Sequence, residues 1–291
     1  MRVFVASDFS DGSDEALRQA YALVTATSGK LAICHVIAQP HMHAFFPQEY
    51  EQDIEAILRA VPEISTALAE RLQTVLGQDV DAEIIVAPAQ QSYAEIIRQA
   101  ETWRADRIVV GGIGRTGLER MLLGSVAERV VRYAHCPVHV ARKSAPGAVL
   151  VGTDLSEASL RALEAGIAEA GWRGRQLIVL YASELMADYV NSAGAMFGLT
   201  PPAPPHEVIE QRHIAARRLL QDALARAGAT AEIVVVEESP EQALLRRAET
   251  LPAELLIVGT RGRTGLPRVV LGSTAERVLR SAQCSVLVVR A

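Results

Sequence analysis

Apolar residues along this chain come in short continuous runs, separated by longer stretches in which apolar positions recur every three or four residues. In the first half the runs are RVFVAS, LAICHVI, VDAEIIVA, DRIVVGG and PVHVAR. Their length and β-branched content predict buried strands. Between them the periodicity predicts helices. The first starts with Ser13-Asp14-Glu15, runs through Thr27 and is closed by Gly29; the others cover 48–76, 90–102 and 125–133. The second half repeats the order with AVLVGT, RQLIVLYA, AEIVVVE, ELLIVGT and SVLVVR. Apolar strands alternating with helices imply a parallel sheet covered on both faces, a doubly wound α/β arrangement present twice.

The repetition extends to individual residues. GSVAERVVRYAHCPVHVAR (124–142) aligns without gaps on GSTAERVLRSAQCSVLVVR (272–290), with 12 of 19 positions identical. GRTGL occurs at 114–118 and again at 262–266, and VFVASDFS (3–10) matches VLVGTDLS (149–156). The chain is therefore a duplicated domain. KSAPG at 143–147 breaks regular structure between the copies, giving domains 1–143 and 147–291.

Composition narrows the function classes. The 291 residues suit two domains, and 49% hydrophobic with 22% charged residues is ordinary for a folded soluble protein. A net charge of −5 leaves no basic surplus for nucleic acid. No apolar run is long enough to span a bilayer, and the N-terminal stretch turns acidic where a signal peptide needs its apolar core. A cytoplasmic location is expected. Cys34, Cys136 and Cys284 form no CxxC pair and read as small buried hydrophobes.

In a doubly wound sheet, ligands bind at the carboxyl ends of strands where strand order reverses, so the residues leaving the first and fourth strands carry the chemistry. After the fourth strand come Gly111, Gly114 and Arg115, then Gly124-Ser125 opening a helix; the second half has Gly259, Gly262 and Arg263, then Gly272-Ser273. Both fit G-x2-G-x9-G-S. Glycines let main-chain amides approach an anion, and a helix N-terminus attracts phosphate oxygens. Read structurally, the same glycines make a tight turn and the serine caps its helix. Asp8 and Asp154 end the first strands; each suits a ribose hydroxyl or a Mg²⁺ on phosphates, or simply an Asx-turn. GxGxxG at 112–117 follows the wrong strand for a dinucleotide fingerprint, and no P-loop sequence occurs.

These features together resemble a tandem universal stress protein, over nearly the whole chain. The strand-one Asp, the glycine loop and the AERV…C.V.V helix and strand carry the resemblance. It implies two five-stranded sheets ordered 3-2-1-4-5, Rossmann-like and adenine nucleotide alpha hydrolase-like, and, in the nucleotide-binding branch, ATP (or ADP or AMP) held by these loops. The matching positions in the first half are Ala6, Ser7, Asp8, Val36, Gly111, Gly114, Arg115, Gly124, Ser125 and Val126. In the second they are Gly152, Thr153, Asp154, Ala182, Gly259, Gly262, Arg263, Gly272, Ser273 and Thr274. Val36 would lie beside adenine; Ala182 stands where valine is expected. The glycine often found after strand three is missing too, replaced by Ala87-Pro88 and by Glu238-Ser239-Pro240.

Other constellations carry less. His35, His41 and His43 could present imidazoles to a metal, with Glu49 or Asp53, though a solvated loop is the favoured reading. His135 and His139 are expected at the surface. NSAGAMFGLTPPAPP (191–205) reads as a linker or a lid. No nucleophile–base arrangement recurs in both halves. The leading expectation is a nucleotide-dependent stress-response or signalling module with at most slow ATP hydrolysis. The alternatives are a Mg²⁺-dependent slow ATPase or nucleotide hydrolase, and a scaffold for another small ligand. The apolar final strands predict pairing of the halves as an intramolecular pseudo-dimer, with homodimerisation of the whole chain and the protein partner left open.

Overall fold

The computed structural model describes residues 1–39, 47–112, 123–183, 205–260 and 271–290. The chain divides into two compact units, Met1–Lys143 and Ser144–Ala291. The first contains β1 (Arg2–Ala6), α1 (Asp11–Thr27), β2 (Lys30–Ala38), α2 (Pro47–Leu76), β3 (Ala82–Ala89), α3 (Ser92–Thr102), β4 (Arg107–Gly111), α4 (Ser125–Tyr133) and β5 (Val138–Ala141). The second contains β6 (Ala148–Thr153), α5 (Glu157–Arg173), β7 (Leu177–Ser183), α6 (His206–Arg226), β8 (Glu232–Glu237), α7 (Pro240–Thr250), β9 (Ala253–Gly259), α8 (Ser273–Ser281) and β10 (Ser285–Val289).

Within the first unit the strands run β3-β2-β1-β4-β5, and within the second β8-β7-β6-β9-β10. Every pair inside a unit is parallel. Both sheets therefore have the expected 3-2-1-4-5 order. Strand order reverses between β1 and β4, and again between β6 and β9, which opens a crevice at the carboxyl ends of those strands.

Strand alternation divides each sheet between two layers of helices. Val3, Val5, Leu31 and Ile33 pack with Leu17 and Ala20 of α1 and Leu68 and Leu72 of α2. Val149, Val151, Val179 and Tyr181 pack with Leu163 of α5 and Leu220 and Leu224 of α6. Cys34, Cys136 and Cys284 are all buried.

Four local expectations change. Helix α1 begins at Asp11, not Ser13, because the Ser10 side chain accepts the Ser13 N–H and caps the helix one turn earlier. At its other end Ser28, not Gly29, takes the left-handed conformation (φ 48°). Gly29 is required for a different reason: a Cβ there would stand 2.3 Å from the Met1 carbonyl oxygen. The second unit closes α5 with glycine at the left-handed position itself, Gly174 (φ 61°). His139 is buried rather than exposed, because it lies within β5 beneath α1; its Nε2–H donates to the Gln19 side-chain oxygen at 2.7 Å. Ala87-Pro88 lies inside β3, the outermost strand beyond β2, where a missing amide donor is tolerated.

Candidate functional site

Both units build the same turn after their first strand. Asp8 Oδ1 accepts the Ser10 N–H at 3.1 Å and the Ser10 hydroxyl, while Phe9 between them holds φ 63°. Asp154 Oδ1 accepts the Ser156 N–H at 3.0 Å and its hydroxyl, around Leu155 at φ 64°. These are Asx-turns, the structural reading of the two aspartates, and each delivers the chain into a serine-capped helix. Behind them a buried hydroxyl pair ties strand to helix: Ser7 with Ser13 at 3.2 Å, and Thr153 with Ser159 at 2.9 Å. The Mg²⁺ role considered for Asp8 and Asp154 competes with this turn for the carboxylate.

Facing the turn in the first unit is the N-terminus of α4. Its N-cap is Gly124, and no side chain caps the helix there. The amides of Ser125, Val126 and Ala127 lie in the first turn, before the ladder starts with the Glu128 N–H donating to the Gly124 carbonyl. Gly272 at the start of α8 repeats the arrangement without a side-chain cap. Unlike the capped α1, α4 turns bare amides, with their partial positive charge, toward the crevice.

Between turn and helix lies a cavity of about 290 Å³. Ala6, Ser7, Asp8, Val36, Gly111, Gly124, Ser125 and Val126 all line it, together with Ser13, His35, Ser92 and Ile96. Eight of the ten first-half positions named from sequence thus converge on one space. Gly114, Arg115, Gly262 and Arg263 lie outside the described residues, as do His41, His43 and 191–204. Ser10, Ser13 and Ser92 also line the cavity and were missed by sequence reasoning; the hydroxyl run in SDFSDGSD was the available signal for the first two, and Ser92, at the start of α3, had none. His35 Nδ1 donates to the Ser7 carbonyl at 2.8 Å, and its ring packs on Phe9 with centroids 4.9 Å apart. The imidazole therefore braces the turn. Cys34 forms part of the lining, and burial pushes its thiol up to about 12, so it stays neutral.

One glycine changes meaning. A Cβ on Gly111 would stand 2.6 Å from the backbone of Gly12, so the residue is needed where β4 ends against the first turn of α1. Close packing, and not only access for an anion, fixes it.

In the second unit, Gly152 and Thr153 end β6, Asp154 forms the turn, and Ala182 stands one residue from the end of β7. Gly259 ends β9, while Ser273 and Thr274 open α8. A Cβ on Gly152 would stand 2.7 Å from the Leu244 side chain, so leucine fills the space beside the strand. Among the described residues no group of three or more His, Cys, Asp or Glu side chains is placed to hold a metal ion.

Fold and site define a class: a duplicated, doubly wound parallel α/β protein whose crevice pairs an Asx-turn with an uncapped helix. The Universal stress protein family model matches residues 1–142 and 147–290, and the chain belongs to that family. A universal stress protein of Mycolicibacterium smegmatis is 30% identical over 307 residues, covering 99% of this chain and 96% of its own length. One from Mycobacterium tuberculosis is 31% identical over 275 residues, covering 88% and 83%. Among solved structures, a universal stress protein from Archaeoglobus fulgidus superposes with a TM-score of 0.68 at 21% identity, over 99% of this chain and 98% of that one. A putative universal stress protein from Pseudomonas aeruginosa gives 0.67 at 22%, over 99% and 92%. At those identities the structures speak for the fold alone.

Proposed function

We propose that this universal stress protein binds an adenine nucleotide, ATP by preference, and acts as a nucleotide-dependent stress-response module that hydrolyses it slowly at most. The observation that carries the reading is the first-unit cavity, where the uncapped α4 N-terminus faces the Ser7–Asp8 turn across about 290 Å³. Phosphates suit the bare amides and the Ser125 hydroxyl, and the sequence motif assigns Gly114 and Arg115 to the same ligand. Val36, Ala6 and Ile96 offer an apolar wall to the base. The second unit takes a nucleotide through Gly152, Thr153, Asp154, Ala182, Gly259, Gly262, Arg263, Gly272, Ser273 and Thr274, and Mg²⁺ enters with the phosphates near Asp8 or Asp154.

What the described site contains supports slow turnover. Phosphoryl transfer needs a group that orients the attacking water, and His35, the imidazole lining the cavity, braces the turn through Nδ1. Its counterpart in the repeat is Tyr181, which is buried.

Denaturing the purified protein and identifying the released ligand by mass tests the reading, with ATP calorimetry on Gly124→Val and Gly272→Val. Released or titrated adenine nucleotide, lost site by site in the two variants, is the expected result. Absence of both released nucleotide and saturable ATP binding would overturn it, and single-turnover hydrolysis complete within seconds would make the protein an enzyme.

A further inference from the structure

A second polar constellation lies on the other side of the sheet, in the second unit only. On β7, Tyr181 faces α5 and α6, and Ser183, two residues on, shares that face. Ser183 pairs in register with Glu237, the last residue of β8, so the two side chains are neighbours at the carboxyl edge. Helix α6 covers this face with the buried stripe Ala216–Leu220–Leu224. His213 lies one turn before Ala216 on the same stripe, which brings its imidazole to that edge. His213 Nε2 stands 3.5 Å from Glu237 Oε2.

The group is unusual in its hydrogen bonding. Ser183 is 3% exposed, yet its buried Oγ has no hydrogen-bond partner, and neither does the buried Nε2 of His213. Ser239, two residues beyond Glu237, is the N-cap of α7, but its buried hydroxyl bonds nothing. Buried polar atoms without partners are rare, and several at one edge call for a bound group. The first unit has none of this chemistry. Sheet register places Ile37 and Pro88 where Ser183 and Glu237 stand. At the helical position of His213 it has Ser65, whose hydroxyl donates to the Val61 carbonyl.

We propose that His213 and Glu237, with the Ser183 hydroxyl beside them, bind a divalent transition metal of the zinc class at the carboxyl edge of β7 and β8. The spacing suits it: nitrogen and oxygen ligands about 2.0–2.1 Å from a tetrahedral ion lie roughly 3.3–3.4 Å apart. An imidazole and a carboxylate are matched donors for such an ion. Two strong protein donors leave positions for water, so the site is open and exchangeable, unlike a closed structural zinc site. It lies on the sheet face opposite Ala182 and is independent of the nucleotide reading.

The test uses the full chain after chelator treatment, in a His41→Ala/His43→Ala background that removes the competing histidine pair. Zn²⁺ titration by calorimetry and Co²⁺ titration by visible absorption are the readouts. One saturable site is expected, with the intense d–d bands of four-coordinate cobalt. His213→Ala and Glu237→Gln should each weaken binding tenfold or more, and Ser183→Ala about two- to fivefold, with unchanged far-UV circular dichroism. The cobalt spectrum of the unmutated site stands on its own if a variant misfolds. No saturable binding, an octahedral cobalt spectrum, or full affinity in both His213→Ala and Glu237→Gln would overturn the proposal.

Discussion

The two units agree where β1 and β6 hand the chain to a helix and part company where β2–β3 and β7–β8 end. At the first place the turn, the left-handed residue, the serine cap and the buried hydroxyl pair match residue for residue. At the second, Ile37 and Pro88 oppose Ser183 and Glu237. The turn is one interlocked hydrogen-bonded unit, so a change at any member leaves a buried partner unsatisfied. The outer strand ends carry no such interlock, and a duplicated copy is free to acquire new chemistry there. The interior shows a third behaviour, divergence by compensation. Ala6, Cys34 and Ile96 in the first unit become Gly152, Leu180 and Leu244 in the second: a smaller residue on β6, a larger one on β7 and an isomeric one on α7.

The largest expected effect breaks the shared architecture. Gly111→Val drives a side chain into the Gly12 backbone and should cost about 3 kcal/mol or more. Gly152→Ala meets only the Leu244 side chain, which can turn, and should cost about 1 kcal/mol. Urea unfolding of both variants measures the difference; equal costs would contradict the distinction between backbone and side-chain obstruction.

Next comes the ion pair that only the first unit has. Arg71 grips Asp14 through both guanidinium arms, at 2.9 and 2.6 Å, and the carboxylate raises the arginine's already high pKa. The repeat places Leu160 and Leu219 at these positions. Asp14→Leu alone should destabilise by about 1 kcal/mol, limited by the partial exposure of Arg71. Adding Arg71→Leu, which copies the second unit, should recover most of that loss. A double-mutant cycle in urea checks it, and strictly additive losses would remove the pair from the comparison.

The effect that is smallest at neutral pH, and grows only in alkaline solution, belongs to Cys34. Cys34 in the folded chain titrates near 12, above the ordinary thiol range, because it is buried. Its contribution to stability is therefore intact below about pH 8.5 and declines as pH rises toward 12, since the unfolded chain loses its proton first. Wild type should lose stability against Cys34→Ala over that window and not at neutral pH. Chemical unfolding at stepped pH reads this, and a constant difference from pH 7 to 11 would refute it. Leu180, at the matching position on β7, has nothing to titrate.

Much of this protein was legible without coordinates, because period and repetition are local properties of a sequence. Apolar runs set the strands, helical periodicity set the layers between them, and the internal match set the duplication. The meeting of Asp8, Gly111, Gly124 and Ser125 at one cavity followed from knowing which strand ends meet in a doubly wound sheet. What tertiary structure decided is what depends on who stands opposite. Ser10 rather than Ser13 caps α1, because capping depends on the backbone angles at the helix entrance. Gly29 and Gly111 are glycines because Met1 and Gly12, distant in sequence, pass too close for a Cβ. His139 is buried because α1 lies over it, and no period in PVHVAR announces a helix 120 residues earlier. The meeting of Ser183, His213 and Glu237 belongs to the same kind: three unremarkable positions in sequence, brought together by sheet register and a helix stripe.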